Sequence, residues 1–200
     1  MPFFVKSELL AILGRLNIRL DKMRGQCYLV DRNIVNILLQ HADLDPQKDI
    51  VAEIGSGLGT LSDFLIESTK KTFLIESDKK IVNFLKEHFE AKYPIHFMSE
   101  NKSSCPALDR ENEKVVILHR DVLKTPFPCV NKIIGNIPYQ ISAPIIFKLI
   151  EEWNFEKAIL MVQQEFADRL TASLNSPKYS RLSAATSLFL EVKKLHQVPP

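Results

Sequence analysis

EIGSGLGTLS, residues 53–62, closes one short apolar run and opens another. Residues 49–54 read as a buried strand and residues 58–68 as a helix, joined by a turn containing Gly55, Gly57 and Gly59. Glycines let the backbone turn tightly and approach a ligand closely. A strand, a glycine turn and a helix make the opening unit of an α/β sheet, whose ligands sit outside the carboxyl ends of the strands. The spacing is GxGxG, with Thr60 at the position that would complete GxGxxG. Glu53, two residues before the turn, disfavours a pyrophosphate. An acid there suits a ligand bearing positive charge, such as the amino group and sulfonium of S-adenosylmethionine. The plainer alternative is that the glycines only close the turn.

The same alternation runs along the chain. Strands are expected at residues 72–76, 115–118, 132–134 and 158–162. Helices are expected at residues 8–14, 32–41, 58–68, 143–152, 166–174 and 182–189, with one more after Asp78 carrying Ile81, Val82, Phe84, Leu85 and Phe89. Asp31 and Asp78 read as N-caps. The helix after Asp31 is expected to carry Ile34, Ile37, Leu38 and His41 on one face. Residues 94–114 are polar and read as a long exposed loop. Short apolar strands alternating with helices indicate a mostly parallel sheet with helices on both faces, a Rossmann-like fold.

Three further strand ends carry chemistry. Glu76 follows Gly55 by 21 residues, a spacing at which an acid commonly accepts hydrogen bonds from ribose hydroxyls; capping the next helix is its bland alternative. Asp121 can take the amino group of an adenine, or serve as a solvated turn acid. The stretch at 133–142, IIGNIPYQIS, ends a strand with an amide and an aromatic ring. Asn136 has no useful acidity. Its side-chain oxygen and a main-chain carbonyl near Pro138 can instead accept from both N–H groups of an exocyclic adenine amine, which favours a pyramidal, nucleophilic nitrogen. Tyr139 would stack on that base, a contact worth about 1–3 kcal/mol, provided the base is unpaired or flipped out.

NIPY after a strand, together with EIGSGLG, GQCYLVDRNIV and VQQEFADRL…YSRLS…VPP, resembles the ribosomal-RNA adenine N6,N6-dimethyltransferase family over residues 20–200. The resemblance implies methylation of two adjacent adenines near the 3′ end of small-subunit rRNA, with S-adenosylmethionine as donor. It implies Gly55, Gly57, Glu53, Glu76, Asp121 and Asn136 at the cofactor, and Asn136 and Tyr139 at the target base. It also implies a methionine-side contact from the segment holding Cys27 and Leu29, where Cys27 replaces the family's Asn or His. Residues 1–30 form a basic N-terminal segment and 31–200 the methyltransferase domain. The family continues past the position of Pro200 with a last sheet strand and a helical RNA-binding domain, so these are expected to be missing here.

Composition restricts the alternatives. The 200 residues are 46% hydrophobic and 25% charged, with a net charge of +2, as expected of one soluble domain. Cys27, Cys105 and Cys129 form no CxxC pair, so neither a zinc site nor a disulfide framework is expected, and a reducing cytoplasm is. No apolar run is long enough to span a membrane. The expected partner is rRNA in the small subunit or its precursor, bound by a monomer. Two other readings share the motifs: the large-subunit rRNA methyltransferases of macrolide resistance, and an RNA-binding assembly or transcription factor that retains the fold without catalysis.

Overall fold

The structure, a computed structural model, describes residues 5–18, 29, 31–99, 113–152 and 155–198. Six strands form one parallel sheet: β1 (Ile50–Ile54), β2 (Lys71–Glu76), β3 (Ile95–Met98), β4 (Val115–His119), β5 (Lys132–Asn136) and β6 (Lys157–Met161). Their order is β3-β4-β2-β1-β5-β6. The chain moves outward from β1 to one edge, then returns with β5 on the other side of β1. The crevice between β1 and β5 is therefore the point where strand order reverses, which is where open sheets bind ligands.

The helices are α1 (Lys6–Arg15), α2 (Arg32–Ala42), α3 (Ser62–Ser68), α4 (Lys79–Glu90), α5 (Ser142–Glu152), α6 (Gln164–Leu170) and α7 (Arg181–Phe189). Alternate residues of each strand serve opposite faces. Val51, Ile134 and Ile159 pack with α2 and α3, and Leu74, Val115 and Ile117 with α4. Ala52, Ile54, Phe73, Ile75, Leu118 and Ile133 pack on the other face with Ile145 and Leu149 of α5 and Leu182 of α7. Each fully buried Ile, Leu or Phe contributes about 1.5–3 kcal/mol. Leu9 and Leu13 of α1 close over Leu58 of the glycine turn and Phe84 of α4.

Both expected N-caps are made: Asp31 accepts from the Asn33 amide, and Asp78 from those of Lys80 and Ile81. Helix α2 buries Ile34, Val35, Leu38 and Ala42, with Ile37 half-buried and His41 exposed. Three expectations are corrected. Helix α3 begins at Ser62 rather than at residue 58, because Gly59 at φ +81° cannot lie in a right-handed helix. The polar block at 94–114 contains β3, which pairs with β4 in parallel from Ile95↔Val115 to Met98↔Leu118. Helix α6 ends at Leu170, and the chain then turns through residues 171–180.

Two features bring β1 and β5 together. At their amino ends Asp49 accepts from Lys132 Nζ and Asn131 Nδ2, each at 2.7 Å, while Asn131 Oδ1 accepts from the Ile50 amide. At their carboxyl ends Gly135 lies opposite Ile54, and a Cβ at residue 135 would meet the Ile54 carbonyl oxygen at 2.9 Å. Gly135→Ala should therefore destabilise the fold by about 1–3 kcal/mol, as overpacking does. A urea titration showing an unchanged midpoint would mean that the two strands can separate freely at that point.

Candidate functional site

Parallel register places the strand ends in a row. Ile54 lies opposite Ile75 and Gly135, Glu76 opposite His119, and Asn136 opposite Met161. Asp121 (two residues past β4), Glu76, the glycine turn and Asn136 thus share one edge of the sheet. Gly55, Gly57 and Gly59 all have positive φ, at +70°, +53° and +81°. That is a conformation only glycine adopts at low cost. The Gly55 and Ser56 amides donate to the Ile75 carbonyl, which draws the turn against β2. A Cβ on Gly55 would lie 3.8 Å from the Asn136 carbonyl oxygen, so the turn borders the end of β5. Gly59 serves packing instead, since a Cβ there would press on Leu85 and Phe89 of α4 at 3.2 Å.

Two carboxyl groups flank the turn. Glu53, 3% exposed, stands between Leu74 and Ile134 in the sheet and accepts a hydrogen bond from Ser62 Oγ. Burial pushes its carboxyl up to about 8; Ser62 opposes that rise, and the nearby acids Glu76 and Asp63 add to it. Glu76 is held by three backbone amides. Its Oε1 accepts from Ser77 and Asp78, and its Oε2 accepts from Gly57 at 3.1 Å. Burial raises its carboxyl as well, against the pull of those three bonds. Glu76 therefore fastens the turn that leads to α4, whose cap is Asp78, and retains acceptor capacity on Oε2.

Asp121 shapes the turn after β4: its Oδ1 accepts from the Leu123 amide, and Lys124 lies 3.4 Å from Oδ2. Beyond Asn136 the Ile137 amide donates to the Met161 carbonyl, carrying the chain past the end of β6. A single 3₁₀ turn then spans Tyr139–Ile141. The Pro138 carbonyl accepts from the Ile141 amide and from Ser142 Oγ. Tyr139 is 39% exposed, leaving ring surface open. Leu29 is half-buried against the α2 side of the sheet. Cys27 lies outside the described residues.

The set suits an adenosyl ligand with a cationic end. Two acids border the turn, the positive-φ glycines hold their backbone beside the end of β5, and Thr60 Oγ1 is buried in the same turn with no hydrogen-bond partner among the described residues. Sequence reasoning passed over Ser62 and the group linking α3 to α4. In that group Asp63, lowered by its bonds to His88 and Lys92, sits 3.0 Å from each. Local spacing could not reveal this contact, because His88 on α4 and Lys92 just past its end lie 25 and 29 residues from Asp63.

A sequence profile of the family described as "Ribosomal RNA adenine dimethylase" matches residues 18–200. The chain is 39% identical over 189 residues to a probable ribosomal RNA small subunit methyltransferase A of Methanosphaera stadtmanae, covering 94% of this chain and 62% of that one. It is 37% identical to the protein of the same description from Methanococcoides burtonii, covering 89% and 59%. The chain thus spans about six-tenths of the length of these curated relatives. The crystal structure of a dimethyladenosine transferase from Plasmodium falciparum superposes with a TM-score of 0.68 at 31% identity, covering 82% of this chain and 54% of that one. A 23S rRNA methyltransferase superposes with a TM-score of 0.62 over 80% of this chain and 57% of that one. At 23% identity it speaks for the fold alone.

Burial makes Glu53 a source of pH-dependent stability. Its folded-state carboxyl is raised from an ordinary 4.5 to about 8, so the folded chain keeps a proton that the unfolded chain releases between those values. Stability from this group is complete below pH 4.5 and is lost as pH rises towards 8, by at most about 1.4 kcal/mol per pH unit. Glu53→Gln should flatten that decline in urea unfolding measured from pH 5 to 8. Parallel profiles for wild type and variant would remove Glu53 as its source.

Proposed function

The chain belongs to the ribosomal RNA adenine dimethylase family, and from that membership we propose that the protein is an S-adenosylmethionine-dependent rRNA (adenine-N6,N6-)-dimethyltransferase. Its substrate on this reading is a pair of adjacent adenines near the 3′ end of small-subunit rRNA, modified during ribosome assembly. The observation that carries the reading is the junction of Asn136 with the glycine turn, with the exposed Tyr139 ring just beyond it. A donor held at the turn and a base held at Asn136 would then face each other across the crevice between β1 and β5.

When bound, S-adenosylmethionine supplies a methyl group on a sulfonium centre. The chain's own residues do the remaining work. Glu76 accepts from the ribose hydroxyls, Asp121 accepts from the cofactor's adenine amino group, and Glu53 faces the cationic amino-acid end. The segment of Cys27 and Leu29 borders the methionine part. Asn136 Oδ1 accepts one N–H of the target amine. The Pro138 carbonyl already serves Ile141 and Ser142, which favours the adjoining Ile137 carbonyl as the second acceptor. Two acceptors aimed at one exocyclic amine localise its lone pair on nitrogen, and Tyr139 holds the ring by stacking.

The expected partner is small-subunit rRNA or its precursor, met by a cytoplasmic monomer. No described helix is long and apolar enough to cross a membrane. The relatives' descriptions as small-subunit enzymes, at 37–39% identity, favour that subunit over the large one.

Asn136→Ala should abolish single-turnover methylation of under-methylated small subunits by the whole protein while cofactor affinity falls less. Tyr139→Ala should weaken base capture by about 1–3 kcal/mol, and Tyr139→Phe should keep wild-type activity because stacking needs only the ring. Equal inactivity of the Ala and Phe variants would assign the work to the hydroxyl and contradict stacking.

A further inference from the structure

One contact beside the turn is not needed to align the strand ends. Ser62 and Glu53 flank the glycine turn on opposite sides, nine residues apart, and are 0% and 3% exposed. Ser62 Oγ donates to Glu53 Oε2 at 2.5 Å. The donor sits on the first residue of α3, and the next residue, Asp63, is bound to His88 of α4 and to Lys92 just past the end of that helix. The start of α3 is therefore anchored to α4 on one side while its hydroxyl reaches β1 on the other. Glu53 cannot be tilted without breaking this bond or pressing into its sheet neighbours Leu74 and Ile134.

The surroundings of the carboxyl say what it awaits. The charged groups acting on it are Glu76 from the end of β2 and Asp63 from α3, with Ser56 of the turn also beside it. Asp63 is already balanced by His88 and Lys92. A buried acid near a second acid gains most from a cation brought by a ligand. With the Ser62 hydroxyl on Oε2, the carboxyl keeps acceptor capacity on Oε1 for such a cation.

We propose that Ser62 is the positioning residue of an ammonium subsite, fixing Glu53 so that one carboxyl oxygen accepts from the amino group at the amino-acid end of the cofactor. The inference rests on the cofactor reading given under Proposed function and deepens it. It separates the ligand into two parts: the nucleoside end depends on Glu76 and Asp121, and the amino-acid end on the Ser62–Glu53 pair.

Calorimetric titration with two ligands tests this. S-adenosylhomocysteine carries the amino group and adenosine does not. Ser62→Ala should lower the affinity for S-adenosylhomocysteine about tenfold, the loss of one hydrogen bond to a charged group, and leave adenosine binding unchanged. Ser62→Cys fills the same space with a poor donor and should lose most of that factor too. Glu53→Gln should also weaken S-adenosylhomocysteine, and adding Ser62→Ala to it should cost nothing further, since the two residues act as one unit. Wild-type affinity in both Ser62 variants, additive losses in the double variant, or equal losses for both ligands would each overturn the assignment. If the wild-type chain binds adenosine and S-adenosylhomocysteine equally, the ammonium subsite falls while the nucleoside site stands. If it binds neither, the cofactor reading and this inference fall together.

Discussion

The closeness of β1 and β5 governs everything built on them. With no side chain at residue 135, Ile54 and Gly135 can lie opposite each other where a Cβ would meet the Ile54 carbonyl at 2.9 Å. The pair is pinned again at its other end by Asp49, Lys132 and Asn131. Strand order reverses between these two strands, so helices leave the sheet in different directions and open a crevice above their ends. The glycine turn occupies one wall of that crevice and Asn136 the other. A wider separation would leave both motifs intact but no longer side by side.

The second constraint is electrostatic. Glu53 and Glu76 both have carboxyls raised by burial, an arrangement in which ionising either group costs stability. Glu76 offsets part of this through three backbone amides, and Glu53 through one hydroxyl. Asp63, although buried, is bound to a histidine and a lysine and is lowered instead. The two acids bordering the glycine turn are thus raised by burial, while the acid that links α3 to α4 is lowered by the partners it binds.

Local chemistry was legible in the sequence. Caps at Asp31 and Asp78 depend on a side chain two or three residues from its donor, and the apolar strands on period alone. The acids and the amide at the strand ends followed from those strands, because parallel pairing aligns their carboxyl ends. Long-range facts were not legible. Strand β3 is four residues long in a polar block, and its pairing with β4 across 20 residues leaves no local pattern. Ser62 looked like one more residue of a helix thought to begin at 58. It is the first residue of α3 only because Gly59 takes a left-handed conformation.

The central claim is that four strand ends make one site for one ligand, and a crystal structure of this chain with S-adenosylhomocysteine tests it most directly. The account predicts the ribose hydroxyls on Glu76, the adenine beside Asp121, the amino group on Glu53 and the sulfur facing Asn136. A ligand seated instead in the groove at the amino ends of β1 and β5, between Asp45, Lys48 and Glu156, would contradict it.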